Sequence, residues 1–285
     1  MTRAGGERAL EVDGATLRYV VEGAGSGVSI AFAHGWCSKL EHWAPQAEHL
    51  AGARTVVRWD RRGMGRSTAA APAEGPRRHA DDLAAICDRE GIERVVVAGH
   101  AGGGPSAIAF AAVHPMRTSA LVVVDMAIRR PSSPGGPNRF AEGIERSNQR
   151  LGGADGAAYF ERMYRSFFGP RADPAIVDDA VSTALRTPRP VAVAENQHFA
   201  VGVTTLGAEV TCPVLWLSAQ PTDTDAVLAT FPAASPAPLV GHVVGSGHFV
   251  QLEVPEQLNP MIDVFLDTLD TLDTLDDLTD GGATA

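Results

Sequence analysis

The chain has 285 residues, of which 45% are hydrophobic and 20% charged. That is enough apolar material for one large globular domain. A formal net charge of −10 argues against nonspecific binding to nucleic acid. Much of that charge sits in the tail, where Asp267, Asp270, Asp273, Asp276, Asp277 and Asp280 punctuate an LDT repeat. Cys37, Cys87 and Cys212 are odd in number and widely spaced, which fits neither a disulfide framework nor a metal site. Lys39 is the only lysine among many arginines, as GC-rich bacterial coding would produce. The first residues lack the apolar core of a signal peptide, and no apolar run approaches a membrane span. The expectation is a soluble cytoplasmic protein with no membrane partner.

In chain order, residues 9–13 and 16–22 form a predicted hairpin around Asp13-Gly14. Residues 28–34 form a buried strand, 41–52 a helix, and 54–60 the next strand, which leads into the Gly-rich loop RRGMGRS. An amphipathic helix over 78–91 stops at Gly91. A strand over 94–100 runs directly into a helix of small residues, 103–115, and another strand spans 118–125. Strands apolar on both faces that alternate with helices specify a parallel sheet covered on both sides. The alternation breaks after Asp125. A Pro/Gly-rich stretch, PSSPGGP, is followed by helix-forming segments through residue 208. Strand patterns resume at 212–220 and 236–244, and a closing helix spans 256–269.

The predicted fold class is therefore α/β: a mostly parallel, twisted sheet with helices on both faces and an inserted helical cap. The core covers 1–130 and 209–270, the cap 131–208, and an acidic low-complexity tail 271–285. Leu at every third tail position covers a helix face only briefly, so the tail is expected to fray.

One junction carries most of the chemical information. Residues 95–103 read VVVAGHAGG, a β-branched strand entering Gly99-His100-Ala101-Gly102-Gly103. G-x-S-x-G at such a junction is a nucleophile elbow, which lifts a serine hydroxyl above the sheet. The glycines are present and the serine position is Ala101, whose methyl group cannot attack a carbonyl. Other landmarks follow in order: His34-Gly35-Trp36 after a strand, WDRRGMGRS at 59–67, HPMRTSALVVVD at 114–125, and GSGHFVQLEVPEQLN at 245–259. Together they resemble the α/β-hydrolase family over about 9–128 and 210–268.

The resemblance implies an acyl-transfer site with a base, a group orienting that base, and donors for an oxyanion. His248 would be the base. Asp223 is the expected acid, since the family places it after the strand that here ends PVLWLSAQ; Asp125 and Asp225 are the alternatives. The backbone N–H groups of Trp36 and Gly102 would form the oxyanion hole. His34, Cys37 and His100 lie beside these elements and are expected around the pocket. In the cap, Tyr159, Phe160, Met163, Tyr164 and Phe167 form an aromatic stripe that packs the cap down and roofs an apolar or aromatic small-molecule substrate. No metal or organic cofactor is expected. The implied activity is hydrolysis of an ester, lactone or related acyl bond, largely silenced by an inactivating Ser→Ala replacement at 101. The alternatives are a naturally serine-less enzyme using His248 as general base, as a lyase, cyclase or cofactor-free oxygenase, and a non-catalytic ligand-binding protein.

Overall fold

The computed structural model describes residues 5–71, 75–128, 139–199 and 203–280, without the side chains of 139, 140, 199, 203, 204 and 272–280. The PSSPGGP stretch, read as a linker, and the last five residues of the tail lie outside the described residues. The described strands are β1 (Glu7–Val12), β2 (Ala15–Glu22), β3 (Gly27–Ala33), β4 (Arg54–Trp59), β5 (Val95–His100), β6 (Thr118–Val124), β7 (Val214–Ser218) and β8 (Leu239–His242). They form one sheet in the order β1-β2-β4-β3-β5-β6-β7-β8. The first pair is the antiparallel hairpin, β2 meets β4 antiparallel, and every pairing from β4 to β8 is parallel. The chain lays β4 on one side of β3 and β5 on the other. The strand order therefore reverses at β3, and the crevice outside its carboxyl end is where open α/β sheets bind ligands.

The helices are α1 (Ala44–Leu50), α2 (Gly75–Glu90), α3 (Gly104–Val113), α4 (Arg139–Gly152), α5 (Gly156–Arg165), α6 (Pro174–Arg186), α7 (Arg189–Phe199), α8 (Val203–Gly207), α9 (Thr224–Thr230), α10 (Val250–Glu253) and α11 (Pro255–Asp280). Two apolar layers sandwich the sheet. On one face, Leu83 and Ile86 of α2, Ile108 and Phe110 of α3, and Val227 of α9 pack against Val95, Val97, Leu121, Val123 and Trp216. On the other, Ala47 and Leu50 of α1 and Leu258, Ile262 and Phe265 of α11 pack against Phe32, Val96, Ala98 and Val122. Successive residues of β5 thus point into opposite layers, which is why the strand is apolar throughout.

Helices α4 to α8 lie between β6 and β7 in the chain, where the strand alternation stops. A third apolar cluster joins this region to the sheet edge: Leu151, Phe160, Tyr164, Val181 and Ala192 pack with Cys37 and Phe249. The last helix continues into the repeat as far as Asp280, and Arg54 holds Asp270 at 2.6 Å. No helix among the described residues is long and apolar enough to cross a membrane.

The WDRRGMGRS loop is anchored by Asp60, which is wholly buried and accepts the N–H groups of Leu40 at 2.7 Å and Arg66 at 2.9 Å. Beside it, Arg62 grips Asp82 with two bonds of 2.7 Å. Burial raises the Asp60 carboxyl to about 6, against the opposing pull of those two N–H donors. A carboxyl whose pKa is higher folded than unfolded favours the fold most below its unfolded value, about 4, and that contribution is lost as the pH rises through the folded value. We expect the Asp60 carboxyl carbon to titrate near pH 6 by NMR, and Asp60→Asn to remove part of the decline in unfolding free energy between about pH 4 and 6. A titration in the ordinary carboxylate range would contradict this.

Candidate active site

At the end of β5 the chain turns from strand to helix through Ala101, whose φ is +47°. A three-residue 3-10 turn, Ala101–Gly103, feeds directly into α3. The turn is tight because its flanks have no side chains: a Cβ on Gly99 would sit 2.5 Å from the Gly103 carbonyl oxygen, and one on Gly103 would sit 2.3 Å from that of Ala33. Left-handed backbone costs a residue with a Cβ roughly 1–2 kcal/mol, so the surrounding packing must hold Ala101 there.

His248 stands in the loop after β8. Its Nδ1 lies 2.6 Å from Oδ2 of Asp125. The carboxylate accepts that N–H, and in the neutral imidazole Nε2 is then the acceptor that can take a proton. Asp125 follows β6 with φ +45°, and its other oxygen accepts the N–H of Ala219 at 2.8 Å. Burial pushes the Asp125 carboxyl up, but the hydrogen bond and charge of His248 outweigh it, and its pKa is lowered. His100 packs its ring 4.7 Å from that of His248 and donates Nε2–H to the His248 carbonyl at 2.8 Å. Burial, reinforced by the neighbouring His248, lowers His100 to about 3 and keeps it neutral. The residue beside Ala101 thus holds the backbone of His248.

The carboxylate opposite His248 is therefore Asp125, not Asp223. Asp223 reaches the cavity wall, but it caps α9, accepting the N–H of Ala226 at 3.1 Å. Asp225 is exposed in the first turn of the same helix. Both have the helix-start role that aspartate fills by accepting orphan N–H groups or facing the positive end of a helix.

The loop after β3 brings Trp36 against the elbow: a Cβ on Gly102 would lie 2.9 Å from the Trp36 nitrogen. Gly102 is in the first turn of a helix, where N–H groups have no intrahelical acceptor. The Trp36 nitrogen thus lies close to Gly102, whose amide was the other donor expected from the sequence.

A cavity of about 960 Å³ opens over these groups. Ala101, Gly102, Trp36, Asp125, His248 and His100 line it, together with Met163, Tyr164 and Phe167 from the cap stripe. Four expected wall residues are elsewhere. His34 is buried behind the loop, accepting the N–H of Arg61 at 2.9 Å through Nε2. Cys37 is buried among Phe160, Tyr164, Ala192 and Phe249, where burial pushes its thiol up. Phe160 packs on Trp36 at 5.1 Å, and Tyr159 bonds Ser147 at 3.2 Å beneath Arg150. A helix turns its side chains through all directions, so five aromatic-rich positions within nine residues could not all face one cavity. The sequence reading missed Met126, Ile128, Ile144 and Phe249, and also Arg61, Glu195 and Asn196, which make part of the wall polar. Ile144, Glu195 and Asn196 are separated in sequence from every motif, whereas Arg61 lies within WDRRGMGRS and Met126 directly follows Asp125. Phe249 is beside His248.

The fold and this arrangement define a protein of the α/β-hydrolase type. Residues 30–260 match the profile of the Alpha/beta hydrolase family, and the chain belongs to that family. Among curated proteins it is similar to "Putative carbamate hydrolase RutD" of Caulobacter vibrioides, 40% identical over 84 residues, which is 29% of this chain and 31% of that protein. The matched stretch thus spans about a third of the length of that relative. It is also similar to the bifunctional esterase/perhydrolase DCH of Acinetobacter calcoaceticus, 32% identical over 117 residues, 41% of this chain and 42% of that protein. A solved esterase of Thermogutta terrifontis superposes with a TM-score of 0.74 at 24% identity, covering 93% of this chain and 98% of its own. At that identity the likeness speaks for the fold alone.

If Asp125 is the partner of His248, a strongly downfield Nδ1 proton resonance of His248 should disappear in Asp125→Asn and persist in Asp223→Asn. The reverse pattern would return the role to Asp223.

Proposed function

We propose that the site is built to hydrolyse an ester, lactone or related acyl bond of a fairly apolar small molecule, and that Ala101 withholds its nucleophile. The observation that carries this reading is the complete set of supporting groups around residue 101: the His248–Asp125 pair at 2.6 Å and the two amides of Trp36 and Gly102. A pure binding pocket has no need of an oriented base in the same cavity as a strained turn. Met126, Ile144, Met163, Phe167 and Phe249 supply an apolar bed for the substrate, and excluding water there strengthens the charge interactions at the reacting carbonyl. The relatives named carbamate hydrolase and esterase/perhydrolase are consistent with acyl chemistry.

The mechanism follows from the geometry. The substrate carbonyl oxygen accepts the Trp36 and Gly102 N–H groups. With serine at 101, Nε2 of His248 takes the hydroxyl proton as Oγ attacks the carbonyl carbon, and the two amides hold the oxyanion. The imidazolium then protonates the leaving group, and water, deprotonated by the same imidazole, releases the acid. Asp125 keeps His248 in the required tautomer throughout. With alanine no covalent intermediate forms, and only binding and oxyanion stabilisation remain.

A second reading rests on a specific feature. The His248–Asp125 pair is complete without residue 101, so His248 can act as a general base on a bound substrate or water, as in a lyase, cyclase or cofactor-free oxygenase.

Ala101→Ser should raise kcat/KM for short p-nitrophenyl esters by about 10³-fold or more over the unsubstituted chain. No gain across acyl-chain lengths would remove the acyl-transfer reading. Turnover by the unsubstituted chain that disappears in His248→Ala would favour the base-only enzyme.

A further inference from the structure

The side chain of Arg61 is 1% exposed, yet it is charged and reaches the cavity wall. It is not the arginine that anchors the loop, since Arg62 serves that purpose through Asp82. Arg61 instead reaches forward to the segment that carries the Trp36 amide. Its Nε donates to the His34 carbonyl at 3.0 Å, and one terminal nitrogen donates to the Gly35 carbonyl at 3.0 Å. The same Gly35 oxygen lies 2.9 Å from Nδ1 of His34. Because Nε2 of His34 accepts the Arg61 N–H, Nδ1 carries the ring proton and donates. Two donors thus fix the direction of the Gly35 C=O. In a trans planar peptide the carbonyl and the following N–H point in opposite directions. Holding the Gly35 oxygen against Arg61 therefore turns the Trp36 N–H away from Arg61.

The other terminal nitrogen of Arg61 donates to Glu195 at 2.7 Å, and the second oxygen of Glu195 meets His79 at 2.8 Å. Burial pushes the Glu195 carboxyl up, and the charges of His79 and Arg61 reverse this, so it is held below the usual carboxylate range. Glu195 belongs to α7, between β6 and β7. The same region touches the loop twice more, where the Trp36 indole donates to Ala192 at 2.8 Å and the Tyr164 hydroxyl donates to the Trp36 carbonyl at 2.9 Å. A buried ion pair gives little net stability over an apolar replacement. What a planar guanidinium adds is direction, since its fork addresses several fixed oxygens at once.

We propose that Arg61 is the positioning residue of the oxyanion hole, aiming the Trp36 amide by holding the Gly35 carbonyl, and that Glu195 makes this aim depend on seating of the cap. The proposal deepens the acyl-transfer reading and rests on it for its catalytic consequence. It accounts for an Arg61–Glu195–His79 cluster buried where α2, the loop and α7 meet.

The test has two arms. In the chain with Ala101, phenylacetate serves as the probe, its carboxylate standing in for the oxyanion, and ¹⁵N-labelled protein is titrated with it. The Trp36 and Gly102 amide resonances should both move. Arg61→Met should abolish the Trp36 shift and retain that of Gly102. Arg61→Met combined with Glu195→Met, which leaves no unpaired buried carboxylate, should do the same with a native-like melting transition. In the Ala101→Ser protein, Arg61→Met should lower kcat about 100-fold, the loss of one oxyanion donor, with KM changed less than about threefold, and Arg61→Lys should not restore it. A Trp36 shift that survives both substitutions, no shift at either amide in the unsubstituted chain, or equal loss through KM would overturn the positioning role. An Ala101→Ser protein without esterase activity, but with the Trp36-specific loss of shift, would instead overturn the acyl-transfer reading alone.

Discussion

Residue 101 holds the chain in the left-handed region, with φ at +47°, at the point where β5 becomes α3. For alanine that conformation costs about 1–2 kcal/mol, and the neighbours that make it tolerable are specific. Gly99 and Gly103 let the turn close on the carbonyls of Gly103 and Ala33. Everything else at the site is measured from this turn. It places residue 101 at the cavity floor, puts Gly102 at a helix start, and lets the His100 ring lie under His248. The turn holds this strained geometry while the side chain it presents is a methyl group.

Around that point, the sheet acts as a jig. The ends of β3, β5 and β6 lie next to one another, and the segments that follow them carry the Trp36 amide, Ala101 and Asp125 respectively. His248 comes from the loop after β8, two strands away, and reaches Asp125 because that residue projects from a φ of +45°. The parallel order concentrates groups distant in sequence at one edge, with each strand fixed by apolar layers on both faces. A second set of polar contacts lies at the joint below α7. Its Arg61–Glu195 ion pair is buried, and Arg61 also bonds the His34 and Gly35 carbonyls of the loop.

Much of the architecture was legible from the sequence, because a strand buried on both faces is an unbroken apolar run and a parallel sheet needs helices between such runs. The reversal into the elbow was legible from glycines packed around one position. His248 was legible because a glycine-flanked histidine after the last strand has few other roles. The partner of that histidine was harder. Asp223 and Asp125 both follow strands, and spacing alone does not say that one carboxylate will be consumed as the cap of α9 while the other takes a left-handed backbone. The Arg61–Glu195 pair was not legible at all. Its members are 134 positions apart, and each looks like an ordinary surface charge on its own segment. Likewise, the stripe from Tyr159 to Phe167 showed that aromatic residues pack the cap down, but not which of them turn into the cavity, since that depends on how α5 is rotated.

The account stands or falls on whether residue 101 sits at the focus of a working base and oxyanion site. The most direct measurement is labelling of the Ala101→Ser protein with an alkyl fluorophosphonate, read by intact mass and peptide mapping. The serine oxygen would displace fluoride at phosphorus as His248 takes its proton. The account predicts a single adduct at residue 101 that is lost when His248 is changed to alanine. No adduct, or labelling at another residue with position 101 untouched, would contradict it.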